Sequence, residues 1–158
     1  MTHQKFLIAL LPAFLILGSS DAARAGSVVN EKGAIVCVNA KWEEKEVEKG
    51  HKFVDYAGPC VIIPDDASVP KKVEDCAGNY EFMPDESWRS AGICTSDFKN
   101  GDKLFLTWEE GSHLKEYVYT YTGGEGKYKG AKGGGTYKTD EMTTTLYGGR
   151  KTGKLELP

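Results

Sequence analysis

An all-β chain, folded as an antiparallel up-and-down barrel of about eight strands, is what this sequence predicts, and three observations predict it. Apolar and polar residues alternate with period two, as where Tyr117, Tyr119 and Tyr121 interleave with Val118, Thr120 and Thr122, the pattern of strands with one buried face. Turn signals separate such stretches, and none repeats its apolar residues at the helical period. Nineteen glycines are more than a helical bundle tolerates, because each glycine inside a helix costs roughly 1 kcal/mol relative to alanine. Hairpin-linked strands leave two open edges; closure into a barrel removes both, and a β-sandwich is the alternative.

The N-terminal stretch reads in three zones: polar Met1 to Lys5, twelve apolar residues from Phe6 to Leu17 interrupted by Pro12, and a small polar stretch ending Ala23-Arg24-Ala25. These are the zones of a secretory signal peptide, with cleavage expected after Ala25. The apolar run is too short to cross a hydrocarbon core of about 30 Å, so it is not a membrane span. Residues 26–158 are then one exported domain, periplasmic or secreted. They carry 18 basic and 22 acidic side chains, a net charge of −4, and without a cationic field no nucleic-acid partner is expected.

Residues 35–46 and 52–63 are β-compatible arms about the charged turn Val47-Glu48-Lys49-Gly50-His51. A loop bounded by Pro64 and Pro70 follows, since proline donates nothing to a ladder. Residues 73–83 and 87–98 form a second hairpin about Asp85, which sets Phe82 opposite Trp88 and Glu81 opposite Arg89, both favourable cross-strand pairs. Asn100-Gly101 predicts a third hairpin through a type I′ turn, which takes positive φ at both central residues. The strand 103–108 turns at Glu110-Gly111-Ser112 into residues 114–122. Seven glycines lie between Gly123 and Gly135, and three short strands, 136–139, 142–147 and 151–157, complete the chain.

Four cysteines, Cys37, Cys60, Cys76 and Cys94, in an exported chain read as two disulfides. Folding the two hairpins as above sets Cys37 against Cys60 and Cys76 against Cys94; the rival pairing joins Cys60 to Cys76 across the proline loop and Cys37 to Cys94. No Cys-x-x-Cys is present and the domain has only His51 and His113, so neither a metal site nor another cofactor is expected.

No catalytic motif emerges. Gly148 to Lys154 satisfies Gly-x-x-x-x-Gly-Lys, but Leu155 stands where a phosphate loop needs Ser or Thr. The carboxylate neighbours Asp65-Asp66, Asp85-Glu86, Glu109-Glu110 and Asp140-Glu141 point to opposite faces of a strand and read as solvated turn charge. His51 and His113 sit beside Gly or Ser turns, where an exposed histidine needs no special role. Three classes of function remain: a module binding a small apolar or amphipathic ligand, a cofactor-free isomerase or cyclase, and an envelope interaction protein using the loop of Lys127, Lys129 and Lys132 or a sheet edge. For the first, the expected lining is Phe82, Trp88, Phe105, Trp108, Tyr117, Tyr119 and Tyr121, because an eight-stranded barrel has room for one small ligand or for its own side chains. An enzyme needs titratable groups turned inward beside that space, and no residue stands out as one.

The run from Gly123 to Tyr137, GGEGKYKGAKGGGTY, resembles the Gly-Gly-x-Gly-x-aromatic-x-Gly-Ala-x-Gly segment of allene oxide cyclase-like and dirigent-like barrels, and of small exported bacterial proteins of unassigned function. The resemblance extends more loosely from Gly92 to Tyr137. It implies a barrel in which the glycines let the backbone pass tightly near the rim while Tyr128 packs inward as a structural residue. None of those families' catalytic or substrate-binding residues matches a position here.

Overall fold

The computed structural model describes residues 26–158; the expected signal peptide lies outside the described residues. The described residues form nine strands: β1 (Ser27–Val38), β2 (Lys41–Glu48), β3 (His51–Pro64), β4 (Lys72–Phe82), β5 (Trp88–Asp97), β6 (Lys103–Gly111), β7 (Tyr117–Glu125), β8 (Lys132–Glu141) and β9 (Leu146–Leu157). Neighbours run β1-β9-β8-β7-β6-β5-β4-β3, and β3 pairs back to β1. Eight strands thus close an antiparallel barrel, which excludes the sandwich, and β2 is an additional strand on β3.

The extra strand comes from the first expected arm, which is continuous in sequence and broken in space. The Ala40 amide donates to the Val38 carbonyl at 3.0 Å, a tight kink that ends β1. Beyond it, β2 pairs with the first half of β3, from Lys41↔Ala57 to Glu48↔His51. The second half of β3 takes β1 instead, from Gly33↔Pro64 to Cys37↔Cys60. One 14-residue strand thereby carries two partners end to end.

Both hairpin-derived disulfides are present, Cys37–Cys60 and Cys76–Cys94, and the rival pairing is excluded. The expected cross-strand partners Phe82↔Trp88 and Glu81↔Arg89 are in register. Arg89 Nε donates to Glu81 Oε2 at 2.6 Å.

Two local expectations are corrected. At Asn100-Gly101 only Gly101 has positive φ, 86°, the Gly101 amide donates to the Phe98 carbonyl at 2.9 Å and the Phe98 amide to the Asp102 carbonyl at 3.0 Å. That is a three-residue loop, a type I turn closed by a left-handed residue, and not type I′. The turn at Asp85 has the same bonding, Glu86 N to Met83 O and Met83 N to Ser87 O, but its left-handed residue is Glu86, φ 67°. At the C-terminal end two strands replace three: Lys132 to Gly135 are ladder residues of β8, and Met142 lies in the turn to β9. The glycines there are strand residues because β7, β8 and β9 approach closely; a Cβ at Gly135 would collide with the Thr152 carbonyl oxygen.

Two outcomes follow. Glu86→Gly removes the steric cost of a left-handed L-residue and is expected to raise stability by about 1 kcal/mol, read as a higher urea midpoint; an unchanged or lower midpoint contradicts the strain. Cys37→Ser with Cys60→Ser opens a loop of about two dozen residues and should cost roughly 3 kcal/mol on the chain-entropy model, with a loss under 1 kcal/mol counting against a stapled seam.

Candidate functional site

Alternation decides which side chains enter the barrel. On β4 the inward set is Lys72, Glu74, Cys76, Gly78, Tyr80 and Phe82; on β6 it is Leu104, Leu106, Trp108 and Glu110; on β9 it includes Lys151 and Leu155. The interior is therefore layered along its axis, aromatic at the Phe82 end, cystine-rich in the middle and charged toward the Lys72 end.

At the aromatic end Phe82, Trp88 and Tyr117 are partly buried, with Trp88 centred 6.3 Å from Phe82 and 5.9 Å from Tyr117. Trp42, from β2, covers Tyr80 at 5.0 Å. Behind them the Glu110 carboxylate is buried without a cation: Tyr137 donates to Oε1 at 2.8 Å, Tyr80 to Oε2 at 3.0 Å and Ser90 to Oε2 at 3.4 Å. Burial pushes the Glu110 pKa up, and these three donors offset only part of that. The Tyr56 and Tyr147 hydroxyls meet at 2.6 Å in the same layer.

The middle is nearly solid. The Trp108 indole lies across the facing glycines Gly78 and Gly92, where a Cβ at either would come within 2.5 Å of it. Between Trp108, Tyr56, Tyr119 and the disulfides only about 30 Å³ remains, room for a water molecule and not for a ligand.

Toward the other end lies a buried ionic network. Lys72 donates to Glu31 Oε1 at 2.9 Å and to the Tyr121 hydroxyl at 2.6 Å, and stands 3.2 Å from Glu74 Oε1. Tyr121 and Tyr119 donate to Glu31 Oε2 at 2.6 and 3.0 Å. Lys151, only 3% exposed, reaches Glu74 at 3.0 and 3.4 Å and lies 4.0 Å above the Tyr119 ring. Burial opposes the Lys72 charge, but Glu74 and Glu31 outweigh it and hold its pKa above the ordinary value. For Lys151 burial prevails over Glu74 and, with Lys72 nearby, pushes the amine down. Glu31 also loses solvation, yet Lys72, Lys151 and the Tyr121 hydroxyl hold it below the usual carboxylate range.

Above the network the barrel opens into a cavity of about 160 Å³. Its walls include Val29, Ile62, Val69, Leu104, Leu155 and Leu157, and Glu31, Lys72 and Lys151 also line it. Tyr128 is buried, stacked on Phe98 at 4.9 Å, with the Lys127 amine 4.8 Å from the Tyr128 centroid; Phe98, Lys127 and Tyr128 all border this mouth.

Of the seven side chains expected to line a ligand site, none lines the mouth cavity. Trp108 and Tyr119 border the small central void, Tyr121 holds Glu31, and Phe82, Trp88 and Tyr117 close the aromatic end. Phe105 alternates with Leu104 and Leu106 and so takes the outer face. The reading of Glu110 as solvated turn charge is corrected: Glu109 is exposed, while Glu110 is 6% exposed inside the barrel. Glu31, Lys72, Glu74 and Lys151 were missed for the same reason, that a charge on a strand is assigned to solvent. The available signal was parity, since Glu74 lies two residues from Cys76 and Lys151 four from Leu155.

His51 bonds Glu81 at 2.9 Å, and His113 stands 3.8 Å from Glu109, both outside the barrel. Gly148 to Lys154 is extended strand. Among the described residues the grouping with metal-donor chemistry is Glu74, Cys76 and Cys94, and its sulfurs are joined as a disulfide, so it offers no thiolate.

No protein-family model matches the chain, and no curated protein matches its sequence. Solved structures match its fold. The chain is similar to the pterocarpan synthase dirigent protein GePTS1, with a TM-score of 0.55 and 12% identity over 84% of this chain and 92% of that one. It is also similar to the pterocarpan synthase dirigent protein PsPTS1, with a TM-score of 0.50 and 12% identity over 83% and 94% of the two chains. The likeness is one of fold: a closed barrel like that of these dirigent proteins, as the resemblance of the glycine-rich segment implied.

The raised Glu110 pKa gives a signed expectation. The folded protein holds this proton more tightly than the unfolded chain, so the stability it contributes is complete below about pH 4.5 and is lost as pH rises through the folded value. Glu110→Gln does not titrate, so its stability relative to wild type should climb with pH across that window and then level off. Urea unfolding of both proteins across the acid to neutral range reads it, and a pH-independent difference contradicts the assignment.

Proposed function

We propose that the protein is an exported binding module that holds one small amphipathic ligand in the mouth cavity of its barrel. The observation that carries this reading is the 160 Å³ space with apolar walls and a charged floor at Glu31 and Lys72. Burial of an apolar body against Ile62, Leu104 and Leu155 supplies affinity, and a polar tip meeting the floor supplies orientation. A dry cavity of about 150 Å³ accommodates a benzene-sized molecule, which sets the scale of the ligand. The filled middle of the barrel limits entry to this end. Two disulfides and the three-zone N-terminal pattern support an oxidising compartment, periplasmic or extracellular, with cleavage after Ala25.

Benzyl alcohol fits this description, and the test uses protein secreted through its own leader, whose intact mass should begin at Gly26. Titration followed by amide NMR is expected to be saturable, with Kd on the order of 1 mM or tighter and shifts centred on Leu104, Tyr128 and Leu155. Leu155→Trp, which fills the mouth, should abolish it. Absence of saturable binding, or equal binding by Leu155→Trp, overturns the reading.

A further inference from the structure

Lys72 and Lys151 share one network but not one environment. An ammonium group has three donors, and Lys72 has three oxygen partners: Glu31, Glu74 and the Tyr121 hydroxyl. Lys151 has one carboxylate, Glu74, and otherwise faces the π surface of Tyr119 at 4.0 Å. It is also a boundary residue, lining both the central void and the mouth cavity. A nearly enclosed lysine with few hydrogen-bond acceptors, beside a second cation and facing a ligand-sized space, is placed as an amine nucleophile is placed.

We propose that Lys151 captures small aldehydes or ketones in the mouth cavity as a reversible imine. The inference rests on the ligand-binding reading above and names the chemical class of the ligand. Lys151 first passes a proton to Glu74, whose Oε1 lies 3.0 Å from Nζ. The freed nitrogen lone pair forms the C–N bond while the carbonyl π pair moves onto oxygen. That oxygen takes one proton back from Glu74 and a second from the nitrogen, the C–O bond breaks, and water leaves as C=N forms. The protonated imine carries the same single positive charge as the ammonium it replaces, so the ionic balance with Glu74, Glu31 and Lys72 is unchanged. The downward displacement of the Lys151 pKa acts in the same direction by favouring the neutral amine.

Benzaldehyde with sodium cyanoborohydride, applied to the disulfide-bonded protein at neutral pH, tests the step by trapping the imine as a benzyl amine. Intact mass and peptide mapping should find one benzyl group on Lys151, added at least about tenfold faster than on exposed Lys138 or Lys154 and suppressed by benzyl alcohol. Lys151→Arg retains the positive charge and should lose this label. If benzyl alcohol binds but Lys151 is labelled no faster than the surface lysines, the nucleophile is overturned and the binding module stands. If neither probe enters the cavity, both fall. The wild-type rate ratio decides the matter even if Lys151→Arg does not fold.

Discussion

Closure along β1 is the constraint on which the rest of the structure depends. Every other neighbouring pair in the barrel, from β3–β4 to β8–β9, joins strands consecutive in sequence. β1 alone brings the two ends of the domain together, pairing with β9 from Ser27↔Leu157 to Val38↔Leu146 and with β3 over only the five positions from Gly33↔Pro64 to Cys37↔Cys60. The shorter seam carries the disulfide. A covalent link at the end of a short ladder restricts the unfolded ensemble and holds the partners in register, and without that seam there is no enclosed interior.

Enclosure then dictates what the inward charges must do. Glu31 enters from β1, Lys72 and Glu74 from β4, and Lys151 from β9. An isolated buried charge is costly, and an ion pair offsets its desolvation only when the remaining hydrogen bonds are also made. Tyr119 and Tyr121 complete that requirement for Glu31. A cross-strand opening helps one of them: Glu31 stands opposite Gly153 on β9, and a Cβ there would collide with the Tyr119 hydroxyl. Such a network gives little net stability against an apolar core, but it defines which strands must meet.

Volume places the candidate site at one end. Trp108 laid across Gly78 and Gly92, the two cystines and the tyrosine layer fill the middle, while Phe82, Trp88, Tyr117 and Trp42 occupy the aromatic end. At the opposite end the inward residues shorten to Val29, Leu104, Leu155 and Leu157, and the ring of Tyr128 stays at the rim against Phe98. Space is left there because aliphatic side chains from several strands do not reach the axis. Lys151 sits at the bottom of that space because β9 carries it inward between Gly149 and Gly153.

The sequence by itself determined the antiparallel class, the hairpin partners Phe82 with Trp88 and Glu81 with Arg89, and the inward Tyr119 and Tyr121, while of two disulfide pairings left open the structure chose Cys37 with Cys60 and Cys76 with Cys94. These are local consequences: a hairpin turn sets the register of the arms beside it, and period two sets the face. Only the tertiary structure decided that β1 closes the barrel, that residues 41–48 leave it as a separate strand, and that Glu31, Lys72, Glu74, Glu110 and Lys151 point inward. A charged side chain can occupy a buried strand position only if a counter-charge or hydroxyl meets it there. Those partners come from strands as far apart as Glu31 and Tyr121, or Glu74 and Lys151, and their meeting is a property of the closed barrel, absent from the local pattern of any one strand.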